Sequence, residues 1–252
     1  MNHIPISNWP NIPKDIYLKE ATSVATDSKD NVYIFNRGEI PVLVFSDDGK
    51  LIDSWGKGEF VRPHGIFIDQ DDTLYLVDDG GHFLKKCTKE GKLLMTIGNP
   101  GKPTEWQKGG YFNRPTDVTI DSDGFLYISD GYGNSRIHKF DQAGKHITSW
   151  GRPGTDPGDF NLPHNICLVD DKYLWVCDRE NFRVQVFDKE GSWIKELRFH
   201  RPQSIFKGKG RLEGFILLTE AGTGMHTQEG VPDIGNVVRI LDYEGNTIRK
   251  LG

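Results

Sequence analysis

Two histidines stand at the same place in a recurring sequence pattern. His64 and His164 each follow a proline and each begins a short apolar run that reads as a strand. Imidazole nitrogens that converge in a polar channel suit Zn²⁺ or another borderline divalent ion. The alternative is that these histidines cap a strand by hydrogen bonding, because Thr116 and Gln203 occupy equivalent positions after Pro115 and Pro202.

Two histidines alone would bind a metal ion weakly, so a third ligand is needed. Water, a carboxylate or a side chain of another subunit could supply it, and so could His226 in the long insert at 221–235. His226 lies between glycine-rich stretches, where a solvated loop residue is the simpler interpretation. The other histidines fall off the repeated position and are predicted to be surface or packing residues: His3, His82, His138, His146 and His200.

A second set of equivalent residues follows the second strand of each repeat. Arg37, Asp79, Gly131 and Arg179 share this position, where the chain emerges on a common face. The acidic residues just before it recur in the full repeats and are predicted to fix turns: Asp78, Asp130 and Asp178. An arginine fork placed there could hold a carboxylate or an oxyanion. The alternative for Arg179 is a surface ion pair with Glu180 or Asp178, which contributes little.

The elements that must position these residues are repeated units of four short strands. The units cover about 18–56, 57–98, 110–151, 158–198 and 199–252. In the third unit the predicted strands are 117–120, 126–129, 135–140 and 146–150, separated by Asp/Asn/Gly turns. A repeated four-stranded antiparallel unit of this length is a propeller blade. We therefore predict an all-β propeller forming one domain over 1–252, with His64 and His164 facing each other across its channel.

Composition limits the function classes. The 252 residues carry 31 basic and 36 acidic side chains, with a net charge of −5 and no basic block, which argues against nucleic-acid binding. No apolar run reaches the roughly 18 residues that a membrane span needs, and the start lacks a secretory signal pattern. Three cysteines give no disulfide framework, so packed thiols and a cytoplasmic location are expected.

Several motifs, in order, carry a family resemblance from about residue 9 to 252. The units resemble NHL repeats, and the set is similar to peptidyl-α-hydroxyglycine α-amidating lyase and its bacterial relatives. The motifs are Asn36-Arg-Gly-Glu, Arg62-Pro-His-Gly-Ile, Phe112-Asn-Arg-Pro-Thr-Asp-Val, Ser129-Asp-Gly-Tyr-Gly-Asn-Ser-Arg, Leu162-Pro-His-Asn-Ile and Asp178-Arg-Glu-Asn. The resemblance is more specific for the fold than for the activity.

The resemblance implies a metal-dependent site. It implies that His64 and His164 are two of three zinc-binding histidines, that Tyr132 is the catalytic tyrosine, and that Arg37 and Arg179 lie in the active site. In that reading Tyr132 deprotonates the hydroxyl of a peptidyl-α-hydroxyglycine, an arginine holds the carboxylate, and an amide and glyoxylate leave. Tyr132 could instead be a turn aromatic that packs on the adjacent blade. The family also holds structural calcium, but its carboxylate ligand belongs to the last blade, so calcium is not expected here.

The repeat count differs from the family pattern. Five units are visible, whereas the family fold has six blades and a further Pro-His-Asp in the last one. A gap would leave unpaired strand edges. Closure as five blades, truncation or burial of the gap in an oligomer would each resolve this, and we expect a homo-oligomer.

Three functions are compatible with the sequence. The first is a metal-dependent enzyme that resembles the lyase and acts on a peptide or small-molecule substrate. The second is a metal-dependent hydrolase of esters, lactones or phosphotriesters, because Lewis-acid activation needs no specific base partner. The third is a non-catalytic scaffold that binds a protein or ligand, because propellers serve both purposes.

Overall fold

The computed structural model describes residues 6–222 and 235–251 and is built from β-strands. It contains five four-stranded antiparallel sheets, each with its strands in sequence order, as the repeat pattern predicted. The chain divides into two compact units, residues 1–101 and 102–252. Two of the five sheets, called blades 1 and 2, belong to the first unit, and blades 3, 4 and 5 belong to the second. The prediction of an all-β propeller protein is confirmed.

The first unit contains eight strands in two blades. Blade 1 consists of β1 Ala21–Thr26, β2 Val32–Asn36, β3 Val42–Phe45 and β4 Leu51–Trp55. Blade 2 consists of β5 Pro63–Ile68, β6 Leu74–Asp78, β7 Phe83–Cys87 and β8 Leu93–Gly98. Their facing sides form one apolar core, because the alternate residues of each strand point to the same face. That core includes Phe35, Val44, Ile66, Leu76 and Cys87.

The second unit contains twelve strands in three blades. Blade 3 consists of β9 Asp117–Ile120, β10 Leu126–Asp130, β11 Arg136–Phe140 and β12 His146–Trp150. Blade 4 consists of β13 Pro163–Val169, β14 Tyr173–Asp178, β15 Arg183–Asp188 and β16 Trp193–Arg198. Blade 5 consists of β17 Pro202–Lys207, β18 Ile216–Glu220, β19 Val237–Leu241 and β20 Thr247–Leu251. Single 3₁₀ turns occur at Arg179–Asn181 and Gly210–Leu212.

Two apolar clusters hold the second unit together. Tyr127, Ile137, Phe160, Ile166 and Phe187 pack in the cluster shared by blades 3 and 4. A second cluster joins blades 4 and 5 through Cys167, Trp175, Val186, Ile205 and Leu218. In every blade the second strand is more buried than the fourth strand.

The turn after the first strand of blades 1 to 3 is fixed by one repeated aspartate. In blade 3, Asp121 Oδ1 accepts hydrogen bonds from the backbone amides of Asp123 and Phe125 at 3.1 and 2.9 Å. Its Oδ2 accepts a hydrogen bond from the Tyr127 hydroxyl at 3.0 Å. Asp27 and Asp69 make the same contacts in blades 1 and 2. This side-chain turn explains why the spacing of these aspartates recurs in the sequence.

The first strand of four blades carries a β-bulge near its start. In blade 4, Pro163 pairs with Asp178 and Asn165 pairs with Cys177, so His164 has no partner in the register. A bulge of this kind leaves one residue outside the ladder and re-aims its side chain. The residues left over in the same way in the other three blades are Thr22, His64 and Gln203.

The thiol side chains behave as core residues. Cys87, Cys167 and Cys177 are buried and free, so the packed-thiol prediction is confirmed. Burial raises the pKa of Cys87 to about 11 and that of Cys167 to about 12. Within the described part of the chain, no helix is long and apolar enough to cross a membrane.

Candidate functional site

His164 is held in one orientation at the bulge of β13. It is 7% exposed, and its Nδ1 lies 2.7 Å from the backbone oxygen of Gln203. A carbonyl oxygen only accepts hydrogen bonds, so Nδ1 carries the proton and the lone pair of the neutral ring is on Nε2. Nε2 lies 3.1 Å from the Tyr132 hydroxyl, which donates to it. The two rings are nearly perpendicular, at 87°.

Tyr132 reaches His164 because glycines flank it. A Cβ added to Gly131 would lie 2.0 Å from the backbone oxygen of Pro163, and one added to Gly133 would lie 2.2 Å from Asn113 Oδ1. Neither position accommodates a side chain, so the Gly131–Gly133 loop can pack directly against the residue before His164. The Tyr132 amide also donates to the Arg114 carbonyl at 3.3 Å. The loop is thereby fixed from both sides.

Two guanidinium groups lie near the Tyr132 ring. The Cζ atom of Arg114 is 4.6 Å from the ring centroid, and that of Arg179 is 5.9 Å away. These are cation–π distances. Arg179 Nη1 also lies 3.5 Å from Gln203 Oε1, and Gln203 Nε2 lies 3.4 Å from His164 Nε2. Blades 3, 4 and 5 therefore all contribute side chains to one cluster.

Glu180 balances part of this positive charge. Its carboxylate accepts hydrogen bonds from Arg179 Nε and Arg201 Nη2, both at 2.8 Å. Burial raises the pKa of Glu180, but the hydrogen bonds from Arg201 and Arg179 outweigh it, and the pKa lies below its usual value. Two guanidinium groups, those of Arg179 and Arg201, therefore share one ionised carboxylate. The predicted Arg179–Glu180 ion pair is present.

In the first unit, His64 occupies the corresponding bulge of β5 and is 7% exposed. Arg37 Nε donates to the backbone oxygen of Pro63 at 3.2 Å, so this arginine supports the residue before His64. Arg37 also pairs with Glu20, and Arg62 pairs with the buried carboxylate of Asp79. Arg37 therefore contacts the backbone directly before His64.

The second set of predicted equivalent residues has a common backbone role. The amides of Arg37, Asp79 and Arg179 donate to the carbonyls of the segment that precedes the first strand of the same blade. In blade 3 this bond is made by Tyr132 and not by Gly131, because that loop carries one additional residue. Tyr132 is therefore the structural counterpart of Arg179, which brings their side chains together.

Sequence reasoning missed Arg114 and Gln203. Arg114 lies directly before Pro115, and two further arginines, Arg62 and Arg201, hold the same place before the repeat proline of their blades. The recurrence of Arg-Pro in these blades is the sequence signal from which Arg114 could have been found. Gln203 was assigned only a capping role, whereas its backbone oxygen and side chain both contact His164.

The donor chemistry of His164 fits a metal ligand, because its tautomer presents the Nε2 lone pair. Among residues 6–222 and 235–251, no group of three or more His, Cys, Asp or Glu side chains has the geometry to hold a metal ion. His64 lies in the first unit and His164 in the second. His226, the weak candidate for a third ligand, falls outside the described residues.

The fold and its repeats define an NHL-repeat β-propeller. The NHL repeat profile matches residues 112–140 and 160–187, and a profile described as a 6-bladed β-propeller matches residues 13–98. The chain is 36% identical to human NHL repeat-containing protein 3 over 91% of its own length and 70% of that protein. It belongs to the family of NHL-repeat propeller proteins that includes this relative.

A second relative is named as an enzyme. A probable peptidyl-alpha-hydroxyglycine alpha-amidating lyase of Caenorhabditis elegans is 37% identical to this chain over 58% of the chain and 42% of that protein. A solved streptogramin B lyase superposes with a TM-score of 0.61 at 17% identity, covering 90% of this chain and 66% of that one. At this identity the structural likeness concerns the fold alone.

Proposed function

We propose that this protein is a lyase-like propeller enzyme whose substrate carries a hydroxyl beside a carboxylate, as a peptidyl-α-hydroxyglycine does. The single observation that carries the proposal is the hydrogen bond from the Tyr132 hydroxyl to His164 Nε2, made beside two guanidinium groups. A proton-transfer pair beside guanidinium groups is what an acid–base reaction on an anionic substrate requires.

The residues of the second unit would have different roles in this reaction. Tyr132 gives its proton to His164 and takes the proton of the substrate hydroxyl. The hydroxyl oxygen then becomes the carbonyl of glyoxylate, the carbon–nitrogen bond breaks, and the leaving amide nitrogen takes the proton that His164 holds. Gln203 keeps the His164 ring in the accepting tautomer through its backbone oxygen. Arg179, with Arg114 beside it, holds the carboxylate. The products would be an amide and glyoxylate.

Metal dependence is part of this proposal. Where a divalent ion is bound, the lone pair of His164 Nε2 would hold it instead of the Tyr132 proton, with His64 as the second ligand and His226 as a candidate third one. Such an ion would supply a Lewis acid that polarises a substrate oxygen. Arg37 would hold the start of β5, directly before His64, through its hydrogen bond to the Pro63 oxygen.

Measurement of glyoxylate release tests the proposal directly. We expect the full chain to release glyoxylate from a peptidyl-α-hydroxyglycine, and we expect Tyr132→Phe to lower the turnover about 100-fold or more, since general acid–base groups contribute at least that much. Arg179→Met should raise KM more than it lowers kcat, because the arginine holds the ground-state carboxylate as well. Tyr173→Phe, on β14 of the same unit, is the matched control and should leave turnover unchanged.

Two outcomes would reject the lyase reading. Full turnover by Tyr132→Phe would remove the tyrosine from the mechanism. Hydrolysis of esters, lactones or phosphotriesters without glyoxylate release would favour the hydrolase alternative.

Metal binding is tested without activity. After loading with zinc and dialysis, we expect stoichiometric zinc in the wild type and its loss in His64→Ala and in His164→Ala. His200→Ala, on the chain between blades 4 and 5, serves as the control. Equal zinc retention in all four proteins would contradict the assigned ligands.

A scaffold function is the second candidate. It is favoured by the likeness to human NHL repeat-containing protein 3, which covers 91% of this chain and has no reaction in its name. Absence of glyoxylate release and of hydrolysis from a zinc-loaded, folded protein would favour it.

A further inference from the structure

Blade 3 contains a second group of reactive side chains, separate from Tyr132 and His164. It consists of Asp130 at the end of β10, His138 on β11, and Ser149 and His146 on β12. His138 and Ser149 are direct partners in the register of β11 and β12. Direct cross-strand partners project from the same face of a sheet, so these side chains can bond to each other.

The hydrogen bonds of this group run in one direction. Asp130 Oδ2 lies 3.2 Å from His138 Nε2, and His138 Nδ1 lies 2.7 Å from Ser149 Oγ. A carboxylate only accepts, so Nε2 of the neutral His138 carries the proton and Nδ1 accepts the Ser149 hydroxyl proton. His146 Nε2 also lies 2.7 Å from Ser149 Oγ. Because the Ser149 hydroxyl donates its only hydrogen to His138, His146 Nε2 donates to Ser149 Oγ.

Burial holds the base of this group in place. Asp130 and His138 are each 0% exposed, while Ser149 and His146 are half-buried on the outermost strand. Asp130 also accepts hydrogen bonds from the Asn113 amide at 3.1 Å and from Asn134 Nδ2 at 2.8 Å. The Tyr111 ring stacks on His146 with centroids 5.1 Å apart. Burial, and then the neighbouring His138, lowers the pKa of His146, which favours the neutral ring.

The blade architecture does not require these residues. In blade 4 the residues at the corresponding register positions are Gln185 and Glu196. Asp178 there still accepts a hydrogen bond from the Asn161 amide, at 2.7 Å, so the loop is held without an imidazole or a hydroxyl. Holding the loop therefore does not explain why blade 3 carries His138 and Ser149.

We propose that Ser149 is a nucleophile that accepts an acyl group from small activated esters, with His138 as its base and Asp130 as the residue that orients His138. A hydroxyl bonded to a base that is itself oriented by a third group is the arrangement that activates serine. Ser149 Oγ forms a bond to the ester carbonyl carbon and passes its proton to His138 Nδ1. The ester carbon–oxygen bond then breaks, and the leaving alcohol takes that proton. The hydrogen bond from His146 holds Oγ in position for the attack.

The test uses p-nitrophenyl acetate with the full chain. We expect a burst of p-nitrophenol close to one per protein, and an acetyl group mapped to Ser149 by mass spectrometry of the digested protein. Ser149→Ala should abolish the burst. His138→Gln should slow it about 100-fold, because it removes the base. His146→Gln should slow it less.

Two controls keep the result specific. Ser54, on the fourth strand of blade 1, lies opposite Leu43 and so has no imidazole as cross-strand partner, and Ser54→Ala should react as the wild type does. His164→Ala should also keep the burst, so the failure of the proposed lyase function would not affect this result.

His138→Gln places in blade 3 the residue that blade 4 carries, so it is expected to fold, and its thermal unfolding is measured alongside. Acetylation of other residues only, or wild-type labelling of Ser149 in a folded His138→Gln protein, would overturn the proposal and leave a structural hydrogen-bond network.

Discussion

Blades 3 and 4 hold the same loop with the same carboxylate but provide that carboxylate with different hydrogen-bond donors. Asp130 and Asp178 are both 0% exposed and both accept a hydrogen bond from a backbone amide of the segment before the first strand. Asp130 faces an imidazole, His138, at 3.2 Å. Asp178 faces the guanidinium of Arg183 at 2.8 Å.

The difference separates a permanent ion pair in blade 4 from a carboxylate–imidazole hydrogen bond in blade 3. Burial raises the pKa of Asp178, despite the hydrogen bonds from Arg183 and Asn181, so its charge depends on a permanent cation. A guanidinium cannot take part in proton transfer near neutral pH, whereas an imidazole can. The same structural task is therefore fulfilled in blade 4 by a group without acid–base chemistry and in blade 3 by one that has it.

The largest effect is expected from breaking the blade 4 pair. Arg183 is 2% exposed and also holds Glu196 and the backbone oxygens of Asp156 and Asp159. Arg183→Met should lower the free energy of unfolding by about 3–5 kcal/mol, because it leaves a buried carboxylate without its cation. Urea unfolding measures this.

Arg198→Met is the matched control for that change. Arg198 pairs with the same Glu196 but is 69% exposed, so its loss should cost at most about 1 kcal/mol. Equal losses in the two variants would contradict the assignment of Arg183 as a structural cation.

A smaller effect is expected from His138→Gln in blade 3. The amide can still donate to Asp130, as Gln185 donates to Asp178 at 3.1 Å. We expect a loss of about 1 kcal/mol, the usual net value of one hydrogen bond. A loss as large as that of Arg183→Met would show that the two blades depend equally on their partners, and the comparison would fail.

The smallest effect is a change in pH dependence. The pKa of His146 lies below its ordinary value of 6.5 because of burial and the nearby His138. The unfolded chain therefore binds the proton first as the pH falls, so this residue lowers stability as the pH falls through and below about 6.5. Urea midpoints of the wild type and of His146→Gln, taken from pH 7.5 to 5, should show a steeper fall for the wild type. Parallel curves would contradict this.

The fold could be predicted from the sequence because residues within each repeat fix the turns of that repeat. Asp121 and Tyr127 fix a turn through local bonds, and such bonds leave a fixed spacing in the chain. The strands predicted for the third unit agree with β9 to β12 to within one residue. Local rules of this kind need no knowledge of neighbouring blades.

The sites were only partly predictable because their contacts cross between blades or strands. Tyr132 and His164 were both named from the sequence, and the structure brings them into contact. Gln203 was not expected to hold His164, because a backbone oxygen leaves no residue-type signal. His138 was taken for a surface or packing residue, since its pairing with Ser149 depends on the register of β11 and β12. The predicted approach of His64 to His164 stays a prediction.

The bulges at the starts of the first strands have a further consequence for how the site can change. Thr22, His64, His164 and Gln203 stand outside the ladder of paired residues, so none of them sets the register of its strand. A substitution at one of these positions alters the chemistry that the blade presents while every flanking strand pair is retained. Each of these four blades therefore offers one exchangeable position, and new specificities can be built on this scaffold by changing one blade at a time.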